Sequence, residues 1–227
     1  MLVKYSVNRK AKNKGEIVLY GTIGNYYWDD GVSAKQFKTD LDALGNVDEI
    51  DLRLNSDGGV ISDAQAMYSL LMQHKADVTV YVDGIAASAA SFLAMAGREI
   101  IMAEGSFFMI HNARGMVAGE AKDFENAAEV LHNMTAMIRK KYSDRTGQSV
   151  ERIGKWMDAE TWFEAADAVK HGFATRVVGN VQAVALNNSR LLSEYIGTPM
   201  AFRPNRNKAL ALRRRIDAAG KNTRMAA

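Results

Sequence analysis

The chain has 227 residues, 48% apolar and 24% charged, with 18 Gly, 2 Pro and a net charge of +3, which suits one domain with a sizeable core and a short appendage and excludes a collagenous, low-complexity or wholly disordered chain. Cysteine is absent, so disulfides, thiolate metal sites and a cysteine nucleophile are excluded. No run of 18 apolar residues marks a spanning helix, and Met1–Tyr5 opens no secretory apolar segment, so the expectation is a cytoplasmic protein with no membrane role.

Residues 1–15 are basic and read as a mobile N-terminal segment. Glu16–Gly24 reads as a strand ending at glycine. Asp48–Ser56 alternates, with Ile50, Leu52 and Leu54 on one face, and Asn55-Ser56-Asp57-Gly58-Gly59 then punctuates the chain. Ile61–Lys75 has helical spacing (Ala64, Met67, Tyr68, Leu71), and Asp77–Val82 is a β-branched strand turned by Asp83-Gly84. Ser88–Ala96 is small and apolar enough for a buried helix. Glu99–Ala103 and Phe107–Ile110 read as strands. Lys122–Tyr142 is a long helix with Phe124, Ala128, Leu131, Met134 and Ile138 on one stripe. Val150–Met157 and Glu164–His171 are shorter helices, and Phe173–Val178 is a last strand. Strands alternating with helices in this way predict an α/β fold of β-α-β units over residues 16–178. Residues 179–227 form a basic tail, with nine Lys and Arg against two acidic residues. Arg203, Arg206, Lys208 and Arg213–Arg215 make it the only part suited to nucleic acid, but only Tyr195 and Phe202 interleave as aromatics, so a solvated appendage is the expectation.

Four segments carry side chains or backbone suited to chemistry. In Gly84–Ser91 a strand runs out and Ser88 opens a helix of small residues; its hydroxyl is either a nucleophile in a region of free N–H groups or a plain helix cap. Ser91, one turn on, faces elsewhere. In Asn55–Val60 the glycine pair leaves backbone N–H groups open, for an oxyanion or for an extended peptide held by Gly58 and Val60, unless it is an ordinary turn. In Phe107–Asn112 a histidine closes an apolar strand, a rigid mount for a general base or a core residue. Asp158–Phe163 brings Asp158 and Glu160 to the start of an aromatic pair, where a carboxylate could orient an imidazole. No HxxxH or similar ligand spacing occurs, so no metal site is expected.

Taken together, NSDGGV, DGIAASAASFLAMAG, MIHN and ETWFEAADAVKHGFA, in that order from Glu16 to Val178, resemble the ClpP family of serine peptidases, and particularly its phage and prophage branch. The resemblance implies a ClpP/crotonase-type α/β fold with a projecting long helix, no cofactor, and a Ser-His-acid triad. Ser88 matches the nucleophile, His111 the general base and Glu160 the acid, with Asp158 the alternative acid; the amides of Gly59 and Ala89 match the oxyanion hole. Asn112, beside the base, joins Gly58 and Val60 as a candidate substrate-binding residue. Asp57 stands where the family often has proline, and Glu160 where it has aspartate.

By the same resemblance the expected function is peptide-bond hydrolysis in a ring-shaped homo-oligomer, with packing through the long helix and its Met134 and Met137. The expected substrates are scaffold and capsid proteins trimmed during phage prohead maturation in the host cytoplasm. The chain has no GxxxxGK[ST] loop, so any ATP use belongs to a separate unfoldase for which this chain would be the proteolytic subunit. Two alternatives remain at this point: a crotonase-like acyl-CoA enzyme, and an inactive ring-forming scaffold or capsid component. The basic tail is either a tether or a self-cleaved segment.

Overall fold

The computed structural model describes residues 5–25, 31–179, 192 and 194–199. In chain order the elements are β1 (Tyr5–Ala11), β2 (Lys14–Ile23), α1 (Ala34–Leu44), β3 (Glu49–Gly59), α2 (Ile61–Gln73), β4 (Asp77–Ala87), α3 (Ala89–Ala94), β5 (Glu99–Ala103), β6 (Phe107–Ile110), α4 (Ala121–Thr146), α5 (Val150–Asp158), β7 (Thr161–Glu164), α6 (Ala165–Lys170) and β8 (Arg176–Val178). The α/β architecture is therefore present. Eight strands form one sheet in the order β1-β2-β3-β4-β5-β8, and β6 and β7 branch from it at β4. From β2 through β8 the main path is parallel, which fits strands joined by helical crossovers. No described helix is long and apolar enough to cross a membrane.

Alternation explains the central strands. Ile50, Leu52 and Leu54 of β3 and Val78, Val80 and Val82 of β4 are buried, while Asp51, Arg53, Thr79 and Tyr81 point to a half-buried face. The buried face is covered by α2 and α3, which pack on each other, with α3 against β3. On the opposite face Arg53 pairs with Asp83 at 2.5 Å, and Tyr20 donates to the same carboxylate at 2.8 Å. The buried Asp83 thereby keeps its partners.

Three stretches differ from the sequence reading. Tyr5–Ala11 is not a mobile leader but a strand, antiparallel to β2, with exposed Arg9 and Lys10 that suit a sheet edge. Asp83-Gly84 does not end β4: the strand runs on to Ala87 and changes partner, pairing with β5 over Thr79–Val82 and with β6 over Ile85–Ala87. Asn55 makes the change possible, since its Oδ1 accepts from the Ile85 amide at 3.2 Å, and a Cβ on Gly84 would sit 2.7 Å from that oxygen. The glycine pair is likewise strand, with Gly58 opposite Thr22 and Gly59 opposite Ile23.

The long helix leaves the body. Of its 26 residues only Ile138 and Tyr142 are buried, and Phe124 and Val130 toward its start are half-exposed, at 52% and 51%. Its rooted end meets the site from below. The fully buried Tyr142 hydroxyl lies 2.8 Å from Ser91 Oγ, which also donates to the Ser88 carbonyl at 2.6 Å. Ser91 thus serves as a brace beneath residue 88.

Candidate active site

The sheet branch brings residues 88 and 111 together. β4 and β6 run parallel with Ala87 opposite Met109, so the next residues of each chain emerge side by side. The Ser88 amide donates to the Met109 carbonyl at 2.9 Å. Ser88 Oγ and His111 Nε2 lie 2.6 Å apart. This contact settles what the hydroxyl does locally: Ser88 precedes α3, but its side chain makes no capping bond to that helix. Its backbone has φ 55°, a left-handed conformation that costs a non-glycine residue about 1–3 kcal/mol. The bond to Met109 and the bonds from Ser91 and Phe92 to the Ser88 carbonyl hold it there.

The glycine pair lies against this serine. A Cβ on Gly58 would stand 2.8 Å from Ser88 Cβ and 3.1 Å from the Ala89 nitrogen, and one on Gly59 would stand 2.0 Å from the Ile23 carbonyl oxygen. Both also have positive φ, 103° and 137°. Only glycine lets three backbone segments approach this closely. The structure thus sets Gly58 against Ser88 and the Ala89 nitrogen, with Gly59 next along the strand and packed on Ile23. Val60 contributes less: its amide already donates to Ile23 at 2.8 Å.

The two carboxylates part company. β6 and β7 are antiparallel with Ile110 opposite Thr161, so one further step sets Glu160 opposite His111. Glu160 is buried, and its φ is 49°. Its Oε2 pairs with Arg114, however, and its Oε1 accepts from the Gly197 amide at 2.9 Å. Asp158 is turned outward, where it accepts from Asn112 Nδ2 at 2.8 Å and stands 3.7 Å from Arg139. Neither carboxylate therefore touches the imidazole. His111 Nδ1 is buried and has no partner at hydrogen-bonding geometry among the described residues. Asn112 keeps its buried Oδ1 in the same condition. Burial, then the neighbouring Arg114 guanidinium, lower the His111 pKa from 6.5 to about 4; the Glu160 charge and the Asn112 backbone pull it the other way.

Two further residues complete the site, and neither stands out in the sequence. Arg114 sets the field at His111 and holds Glu160. Tyr195, from beyond the expected domain end, sets its ring at 58° to that of His111 with 5.4 Å between centres, and donates its hydroxyl to the Asp57 carbonyl at 2.7 Å. The available hint was an apolar island, Leu192, Tyr195 and Ile196, in a basic tail. The arginines of that tail, Arg203 to Arg215, lie outside the described residues.

A paired hydroxyl and imidazole beside open glycine backbone is an arrangement suited to acyl transfer. A family model described as Clp protease matches residues 3–181. The ATP-dependent Clp protease proteolytic subunit 2 of Mycolicibacterium paratuberculosis is 33% identical over 133 residues, covering 57% of this chain and 66% of that protein. The ATP-dependent Clp protease proteolytic subunit of Streptococcus mutans is 31% identical over 144 residues, covering 62% and 74%. The subunit 1 protein of Mycobacterium tuberculosis is 32% identical over 133 residues, covering 57% and 66%. The aligned region thus spans just under two thirds of the first relative's length and about three quarters of the second's. The chain, with its ClpP-type α/β fold, belongs to the Clp protease family.

Proposed function

We propose that this chain hydrolyses peptide bonds with Ser88 as nucleophile and His111 as general base; the observation that carries the reading is the 2.6 Å contact between them. The Ser88 hydroxyl proton moves to His111 Nε2 as Oγ bonds to the scissile carbonyl carbon. The displaced electron pair goes to the carbonyl oxygen, which the amides of Gly59 and Ala89 receive. Collapse breaks the C–N bond, and the leaving amine takes the proton from Nε2. Water, deprotonated by the same imidazole, then releases the acyl group. Loss of one oxyanion donor costs about 2.7–4 kcal/mol of barrier in serine proteases.

Glu160 is the acid of this proposal, because strand register puts it opposite His111 and its charge already acts on that ring. Asp158, engaged with Asn112 and Arg139, is the less suited carboxylate. Substrate lies extended along the glycine pair, with Gly58 leaving room for it and Asn112 Oδ1 as an acceptor for a substrate amide.

The chain further assembles with copies of itself through the projecting half of α4, whose Phe124 and Val130 have no covering element among the described residues. The strings shared with the phage branch support scaffold and capsid proteins as substrates, cleaved inside proheads in the host cytoplasm. The relatives' names, proteolytic subunits of an ATP-dependent protease, support the other setting, in which a separate ATPase delivers unfolded polypeptide.

Ser88→Ala is expected to lose hydrolysis of casein and of scaffold protein by at least about a thousandfold while keeping the wild-type melting temperature. Hydrolysis at the wild-type rate would remove Ser88 from the mechanism. The prohead setting requires scaffold cleavage without added nucleotide or ATPase. In sedimentation velocity the wild type should run as a ring and Phe124→Glu as smaller species; a wild-type monomer at micromolar concentration would contradict assembly. The acid limb of kcat/KM reports the free base. With His111 lowered to about 4, the neutral imidazole persists through mildly acid solution. Arg114→Gln removes the cation that disfavours imidazolium and leaves Glu160 to favour it, so the limb should move up toward 6.5. A limb that stays in place or moves down would contradict this electrostatic account.

A further inference from the structure

We infer that Leu192 and residues 194–198 act as an intramolecular inhibitor seated in the catalytic cleft. The inference rests on the reading of Ser88 and His111 given above. Three separate contacts place the segment there. The Tyr195 hydroxyl donates to the Asp57 carbonyl, next to the glycine pair along which an extended substrate would lie. Its ring covers His111 at 5.4 Å, and the Arg114 guanidinium lies 5.5 Å from its centre. The Gly197 amide holds Glu160 Oε1 at 2.9 Å, while Arg114 holds the other oxygen, so the carboxylate opposite His111 is occupied elsewhere. The segment therefore blocks substrate and also detains the group that would orient the base.

The seat is built for side chains and is not an incidental contact. Leu192 and Tyr195 are buried, 2% and 9% exposed, in a small cluster of their own with Ile85, Ala87 and Met109, and Trp162 packs on its edge. Ile85, Ala87 and Met109 come from the ends of β4 and β6, the strands that deliver Ser88 and His111, and Trp162 comes from β7. The segment also fastens itself: the Thr198 hydroxyl donates to the Leu192 carbonyl at 2.6 Å. Among the described residues of the segment it is the Tyr195 hydroxyl that reaches the Ser88 side chain, so the segment meets the nucleophile with a side chain that offers no bond for attack. Polypeptide substrate must displace it, and its departure frees Glu160 to turn toward the buried Nδ1.

The test is the rate at which a fluorophosphonate probe labels Ser88 in the full-length chain. Two variants loosen the segment independently. Tyr195→Ala removes the ring and the hydroxyl. Gly197→Val adds a side chain whose Cβ would stand 3.0 Å from Trp162, without altering Tyr195. An aromatic contact and one hydrogen bond together correspond to about tenfold in the closing equilibrium, so Tyr195→Ala should label about tenfold faster than the wild type, and Gly197→Val, which crowds Trp162, should also label faster. Tyr195→Phe, which keeps the ring, should give a smaller increase. If the wild type labels at Ser88 and both loosened variants label no faster, the inhibitor is overturned while the nucleophile stands. If none of these proteins labels at Ser88, the nucleophile reading fails, and the inhibitor with it.

Discussion

A serine backbone at φ 55° has to be held by its neighbours, and the rest of this site depends on how it is held. Strand β4 changes partner from β5 to β6 three residues before Ser88, and the bond from the Ser88 amide to Met109 fixes the end of the branch. From below, Ser91 and the buried Tyr142 fasten the Ser88 carbonyl to the long helix. The outcome is a hydroxyl lifted off its own helix and aimed at an imidazole on the adjacent strand. The cost of about 1–3 kcal/mol for such a conformation is small beside the burial of the strands that impose it. Glycine at 58 follows from the same geometry, because a side chain there would meet Ser88.

The electrostatics of the cleft follow from which groups are buried with the base. Burial, then the nearby Arg114 guanidinium, favour the neutral imidazole, the form that the proposed mechanism requires. The same enclosure would make the imidazolium formed during reaction costly unless a carboxylate joins it. Strand register brings Glu160 to the right place, yet Arg114 and Gly197 hold both of its oxygens. For the proposed mechanism the arrangement therefore separates two requirements: the contact of Ser88 with His111 is already made, and the charge compensation is not. Under the proposed inhibition, that separation gives the segment around Tyr195 its leverage.

Much of the fold was legible because the central strands carry clean alternation and the helices between them carry apolar stripes. The elements that escaped notice did so for physical reasons. β1 is an edge strand rich in Arg and Lys, so composition hides it. α1 has only Phe37, Leu41 and Leu44 buried among charged residues, a stripe too short to announce itself. Asp83-Gly84 and Gly58-Gly59 look like turns in one dimension; both are strand because Asn55 and Ile23 supply partners distant in sequence. The nearness of Ser88 and His111 was readable because each sits at a strand end in a short, distinctive string. The orientation of Glu160 and the reach of Tyr195 were not, since both are set by contacts across long stretches of chain.

The central claim is that Ser88 and His111 act as one unit, and a double-substitution cycle on kcat/KM for a short peptide tests it most directly. If the two share a single proton transfer, removing either should abolish nearly all of the advantage, and Ser88→Ala/His111→Ala should be about as slow as the slower single variant. Losses that multiply in the double variant would mean that the two side chains contribute separately, and would contradict the account.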